Sequence, residues 1–376
     1  MVTISGVGMH PFGRFDASVT ELGVVAVRAA MAEAGARSVD AAFCGTAYAG
    51  VAAGHKVLGQ LALTGPPIVD VEAGCASGGA ALELAAAAIR AGRYERVLVF
   101  GVEKMPKGVI RSTFFEPWQE AAGLTPAPAY FAMRARRLML DTGVSSDDLA
   151  KVVVKNRRHG VDNPDAMFRK EVSVADVLGS RVVCDPLHLF MLCSPNEGAA
   201  AVVLEREGLA GDDGRPPPVT LRAAVLRSHL PGSVLSESTP LAGDDETVTP
   251  PTTLAANQAY EEAGVGPDAL DVVECQDTDA ARELLAWQEL GLCEPGDQPR
   301  ILEAGEFALG GRLPVNPSGG LLSKGEPLGA SALGQVVEIV RQLRDECGPR
   351  QVPGARVGLA HVIGRGANAC VTILSR

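Results

Sequence analysis

The helix-to-strand pattern near the N-terminus returns about 230 residues later, and a chain that repeats itself at such a spacing reads as two similar halves. From Thr20 to Gly35, Ala, Val, Leu and Met recur at helical spacing, Ala34-Gly35 closes the run as a C-cap, and a strand-like segment, Val39 to Cys44, follows. Leu254 to Gly264 ends in the same Ala-Gly pair, with Leu270 to Cys275 as its strand. A second echo pairs the small-residue helix Ala76 to Ala91 and the strand Arg96 to Gly101 with a later helix. That later helix carries Leu333, Val336, Val337, Val340 and Leu343 on one stripe, and it leads to the strands Val357 to His361 and Asn368 to Leu374. Val/Leu runs this continuous, alternating with helices, belong to strands covered on both faces. The 376 residues therefore divide into an α/β half, 1–207, a linker, 208–218, and a second α/β half, 219–376. The linker GLAGDDGRPPP carries prolines and an acidic-glycine cluster that continue neither helix nor strand. A less regular stretch, about 104–193, is inserted in the first half, and insertions on a rigid scaffold commonly carry substrate contacts.

A net charge of -11 argues against a nucleic-acid footprint, which needs a basic face. No stretch approaches the roughly 20 apolar residues of a membrane span, and MVTISGVGMHPFGRF lacks the charged-then-apolar layout of a secretory signal. A cytoplasmic protein without membrane or nucleic-acid partners is expected. The eight cysteines are scattered with no CxxC pair, so neither a metal site nor a disulfide framework is expected, and most are read as small buried residues.

Cys75 stands apart. In Pro67-Ile-Val-Asp-Val-Glu-Ala-Gly-Cys75-Ala-Ser-Gly-Gly79 an apolar strand runs into a small-residue turn that opens an alanine-rich helix. A cysteine at a helix N-terminus meets unpaired N–H groups and the positive dipole end, which favour thiolate, and the flanking glycines let a thioester approach. The same residues also suit a buried structural cysteine in a Gly-Ala turn.

VEAGCASGGAAL resembles the nucleophile turn of thiolases, in particular the sterol-carrier-protein type. VKNRRHGVDNPDAMFRKEVSVADVLGSRVVCDPLHLFMLCSPNEGAAAVVL is similar to that family's mid-chain block, and NPSGGLLSKGEPLGASALGQ to its C-terminal block. The resemblance covers nearly the whole chain. It implies a duplicated five-layer αβαβα fold, a loop domain holding acyl-CoA, a homodimer paired through the strand before Cys75, and acylation of Cys75. It implies no cofactor beyond the coenzyme A or carrier thioester that serves as substrate. Some relatives also bind a small OB-fold, zinc-ribbon chain.

The pattern breaks in the second half. The family's Gly-His-Pro reads Gly325-Glu326-Pro327, replacing an imidazole that donates and accepts with a carboxylate that, ionised, only accepts. Its His-Asp-Cys-Phe loop reads Gln276-Asp277-Thr278-Asp279, and Cys275 falls three residues early. His361, in Leu359-Ala-His-Val-Ile-Gly-Arg-Gly, resembles the last catalytic-side loop, where an imidazole serves as a base near pH 7. Asn316, in Asn-Pro-Ser-Gly-Gly, matches a residue that holds a catalytic water or an oxyanion. The expected site is thus Cys75, His361, Glu326 and Asn316, with Gly319, Gly320, Gly364 and His55 near the substrate, and His361 favoured over Glu326 as base. Acyl transfer through Cys75 is the leading activity. A Claisen-condensing thiolase, a retro-aldol lyase of the steroid side-chain type and a degenerate acyl-CoA-binding subunit are the alternatives.

Overall fold

The computed structural model describes residues 1–107, 117–123, 125–209, 214–231, 248–364 and 368–376. The first half runs β1 (Val2–Gly13), α1 (Val19–Glu33), β2 (Ala41–Gly45), α2 (Ala53–Gln60), β3 (Ile68–Val71), α3 (Ser77–Arg90) and β4 (Arg96–Lys104). An insertion follows, with α4 (Pro117–Ala121), α5 (Ala127–Thr142), α6 (Ser146–Gly160), α7 (Val174–Gly179) and a hairpin of β5 (Val182–Cys184) and β6 (Leu187–His188). β7 (Glu197–Arg206) completes that half. The second half comprises β8 (Val219–Arg227), α8 (Pro251–Ala263), β9 (Val272–Glu274), α9 (Ala280–Glu289), α10 (Gln298–Ala304), α11 (Gly320–Lys324), α12 (Leu328–Leu343), β10 (Val357–Gly364) and β11 (Asn368–Ser375). Part of the expected linker, 210–213, lies outside the described residues; the rest separates β7 from β8.

Local signals set the helix boundaries. Ser18 opens α1 with a capping box, its hydroxyl accepting from Glu21 N while the Glu21 carboxylate accepts from Ser18 N. Gly264 closes α8 at φ 69°, the left-handed C-cap that the Ala-Gly pair announced.

The duplication is explicit in the sheet, whose order is β3-β2-β4-β7-β1-β8-β11-β10-β9. Within it, β2-β4-β7-β1 and β9-β10-β11-β8 repeat one pattern: a parallel pair, then two antiparallel ones. Val2 to Ile4 of β1 pair with Val219 to Leu221 of β8 and join the halves. Apolar residues from both half-sheets pack on α3 and α12 in the middle. α1 and α2 cover the outer face of one half-sheet, while α8, α9 and the insertion cover that of the other. That is the five-layer αβαβα arrangement, and it explains why β4 and β7 are buried along nearly their whole length.

Four glycines bring α3 and α12 together. Gly45 ends β2, and its register partner Gly101 lies towards the C-terminal end of β4. A Cβ on Gly101 would stand 2.1 Å from the Gly329 carbonyl oxygen, one on Gly329 2.5 Å from the Gly45 oxygen, and one on Gly78 2.9 Å from the Gly329 oxygen. Gly78 and Gly329 are the second residues of α3 and α12, so both helix N-termini rest against these strand ends. Because the obstructing atoms are backbone, Gly101→Ala is expected to cost about 3 kcal/mol or more, the upper range for overpacking. Urea unfolding checks this through a lowered midpoint at unchanged m-value; a shift within about 0.5 kcal/mol would show slack at the contact.

Candidate active site

Cys75 lies in the 3-10 turn Gly74–Ala76 that leads from β3 into α3, and only 8% of its surface is exposed. The turn is pinned from within. Ser77 Oγ donates to the Gly74 carbonyl at 2.6 Å and accepts from Ala73 N at 2.9 Å, while Glu72 accepts from Gly74 N at 2.8 Å. Gly364, at the end of β10, closes over the turn: a Cβ there would sit 2.0 Å from the Ala73 carbonyl oxygen. Of the four residues expected near the substrate, Gly364 is the one that touches the cysteine's turn; Arg365 to Ala367 lie outside the described residues.

Glu326 arrives from the opposite side, just before α12. Its main chain is clamped to the insertion's exit, with Glu326 N donating to Ser194 O at 2.9 Å and Pro195 bridging to it. The carboxylate accepts from Cys193 Sγ at 3.3 Å and from Gln276 Nε2 at 3.3 Å, and Gln276 Oε1 in turn accepts from Ile363 N at 3.1 Å. Burial pushes the Cys193 thiol well above its ordinary range, and the charges of Glu326, Asp277 and Cys75 add to that. Cys193 is therefore a thiol donor facing both Glu326 and Cys75. Neither Cys193 nor Gln276 was among the residues expected in the site. Gln276 fills the position where the family pattern has a histidine, and its amide still donates there.

The other expected residues occupy different places. His361 does not meet Cys75. Alternate residues of β10 face opposite layers: Val362 packs with Cys75, Ala73 and Ala76, whereas Leu359 and Ile363 pack towards the outer layer of α8 and α9. His361 shares the latter face, is fully buried, and pairs its Nε2 with Thr252 Oγ1 of α8 at 3.1 Å. Burial, with help from Arg282, holds its pKa well below the usual imidazole range, so it is neutral. His361, expected as a base for Cys75, therefore lies on the strand face opposite Val362 and is paired with Thr252.

Asn316 is engaged elsewhere: its Oδ1 accepts from Cys275 N at 2.9 Å, and its Nδ2 donates to Glu283 at 2.9 Å and, more weakly, to Cys275 Sγ at 3.8 Å. Gly319 and Gly320 adopt φ of 93° and 61° so that α11 can lie against Asp277, which accepts from Leu321 N at 2.6 Å and Leu322 N at 3.1 Å. A Cβ on Gly320 would stand 2.2 Å from that carboxylate. His55 is exposed on α2 in the outer layer and forms no part of this cluster. His159, in the last turn of α6, is buried: Leu309 N donates to its Nε2 at 3.0 Å, which leaves Nδ1–H to donate to Asn316 O at 3.0 Å.

The thiolase N-terminal domain matches residues 2–186, and the thiolase C-terminal domain-like family matches residues 233–376. The chain belongs to the thiolase family. This thiolase-family chain is 37% identical to a benzoylsuccinyl-CoA thiolase subunit of Thauera aromatica, over 98% of its own length and 96% of that protein's. It is 37% identical to an acetyl-CoA acetyltransferase of Methanothermobacter thermautotrophicus, over its whole length and 99% of that protein's. Against sterol carrier protein 2 of Bos taurus the identity is 35%, over 99% of this chain and 72% of that protein. Among solved structures, the Ltp2-ChsH2(DUF35) aldolase superposes with a TM-score of 0.88 at 26% identity, covering 100% of this chain and 97% of that one. Among the described residues, no helix is long and apolar enough to cross a membrane.

The buried His361 gives a pH prediction. Its folded pKa lies below the 6.5 of an unperturbed imidazole, so below pH 6.5 the unfolded chain takes up a proton that the folded chain refuses. Relative to His361→Gln, the wild type should lose about 1.4 kcal/mol of stability per pH unit as the pH falls from there. Urea unfolding of both proteins between pH 7 and pH 5 measures the difference; parallel curves would contradict the buried, neutral imidazole.

Proposed function

We propose that this chain is an acyltransferase that takes an acyl group from a coenzyme A or carrier thioester onto Cys75, with Glu326 as the proton acceptor, and passes it to a second nucleophile. The observation that carries this reading is the Glu326 carboxylate held between Gln276 and Cys193, a thiol close enough to feel the charge of Cys75 as well. An anion beside a thiolate is unfavourable, but the step does not create two charges. As the Cys75 sulfur attacks the thioester carbonyl, its proton moves to Glu326, and the single negative charge moves from the carboxylate to the new oxyanion. Collapse of that intermediate breaks the carbon–sulfur bond to coenzyme A, and the departing thiolate recovers the proton from Glu326. The acceptor's nucleophilic atom then attacks the acyl-cysteine carbonyl and gives its proton to Glu326; collapse breaks the carbon–sulfur bond to Cys75, whose thiolate takes that proton back. The dipole of α3 favours the negative charge that develops on the sulfur as its proton leaves. Cys193, held as a thiol, returns Glu326 to its resting position by a hydrogen bond.

The names of the relatives support a thioester substrate. A homodimer through β3 is part of the same reading, since that strand ends the sheet and leaves Val69 43% exposed. The aldolase likeness supports work alongside a small partner chain of the DUF35 kind, and it also favours a second reading, carbon–carbon bond cleavage without an acyl-cysteine.

Intact-protein mass spectrometry after incubation with a panel of acyl-CoAs separates the two. The wild type, His361→Ala and Cys193→Ala are expected to gain one acyl mass, and Cys75→Ala to gain none. Persistent labelling of Cys75→Ala at another cysteine would end the nucleophile assignment. A wild type that never gains mass would favour the lyase.

A further inference from the structure

Arg157 stands in the last turn of α6, in the insertion, with only 7% of its surface exposed. Among the described residues nothing accepts a hydrogen bond from its guanidinium, and its Nε is buried without a partner. Two rings flank it, Phe168 with its centroid 4.1 Å from Cζ and Phe190 at 5.8 Å. Burial alone pushes its pKa down to about 10, so the group is still charged at neutral pH. A desolvated cation with no counter-charge is costly, and the ring faces offset only part of that cost. Both rings belong to segments that touch the candidate site. Phe168 N donates to Ser323 O at 2.9 Å, three positions before Glu326, and Phe190 precedes Cys193 by three positions. Three residues of chain reach at most roughly 10 Å.

We propose that Arg157 recognises a carboxylate carried by the acyl group, so that the substrates of this chain are dicarboxylic or otherwise acid-bearing acyl thioesters. The proposal rests on the acyl-transfer reading above. A guanidinium fork pairs with a carboxylate through two parallel hydrogen bonds, and walls of phenylalanine suit the methylene or aromatic stem that precedes it. The phosphates of coenzyme A are the other anionic source. Arg158 is exposed beside Arg157 and available to hydrated phosphates, whereas Arg157 is enclosed and apolar-walled.

Isothermal titration of the Cys75→Ala protein separates binding from chemistry. Succinyl-, glutaryl- and adipyl-CoA are titrated beside butyryl-, pentanoyl- and hexanoyl-CoA, and beside coenzyme A alone. At least one acid-bearing thioester should bind about 30-fold or more tightly than its uncharged counterpart, the lower bound for a desolvated charge pair. Adding Arg157→Met should bring that ratio near one, and adding Arg157→Lys should recover part of it. Ratios are taken within each variant, so a general loss of folding does not imitate the effect. A ratio near one with Arg157 present, or one untouched by Arg157→Met, overturns the proposal. So does equal weakening of every ligand, coenzyme A included, which would assign Arg157 to the phosphates; no binding of any thioester overturns both readings. Selective binding without loading of wild-type Cys75 sinks the acyl-transfer reading alone, and loading without selectivity sinks the Arg157 assignment alone.

Discussion

The N-termini of α3 and α12 meet because Gly45, Gly78, Gly101 and Gly329 bring only backbone to their contact. Any side chain there would push α12 away from the ends of β2 and β4. Cys75 stands two positions before the first residue of α3 and Glu326 two before that of α12, so the separation of the helices also sets the separation of sulfur and carboxylate. Each comes from a different half of a duplicated fold, and neither half has a site by itself. The pseudo-symmetry of the sheet places the two helices head to head; the glycines let them close.

Beneath this junction lies a floor of buried carboxylates with matching cations. Lys155 pairs with Glu283 at 2.8 Å, Lys324 with Glu274 at 3.3 Å and Arg350 with Glu338 at 3.0 Å. Asp277 shares the floor; burial first, and Glu283 next, raise its pKa well above the usual carboxylate range. Such networks add little net stability against an apolar core, but each member depends on its partners, and together they fix the loop 274–279 and the start of α11. Gln276 and Glu326 inherit that rigidity. Where the family pattern has imidazoles, this chain has an amide and a carboxylate on the same rigid support.

The fold was legible because its signals are local or periodic. The Ala-Gly helix ends, the stripe on α12 and the continuous strands report burial from within one segment. The Cys75 turn was visible for the same reason. Cys193 was not, since its partner Glu326 is 133 positions away and nothing near either residue announces the pair. The side His361 takes was not legible because β10 is buried on both faces, and a strand apolar on both faces carries no alternation that tells one side from the other. Only the packing of Val362 on Cys75 decides it. Asn316 matched its motif fully, yet its amide is spent on Cys275 N and Glu283. A motif identifies a residue; its hydrogen bonds say whether it is available.

The claim on which the account turns is that Glu326 receives the Cys75 proton, and the pH dependence of single-turnover acylation of Cys75 tests it most directly. Wild type and Glu326→Gln are compared with one acyl-CoA across neutral and alkaline pH. Glu326→Gln should be slower by about 100-fold at pH 7, as loss of a positioned base usually costs, and should recover as rising pH supplies the thiolate without help. Equal rates at every pH would contradict the account and remove Glu326 from the reaction.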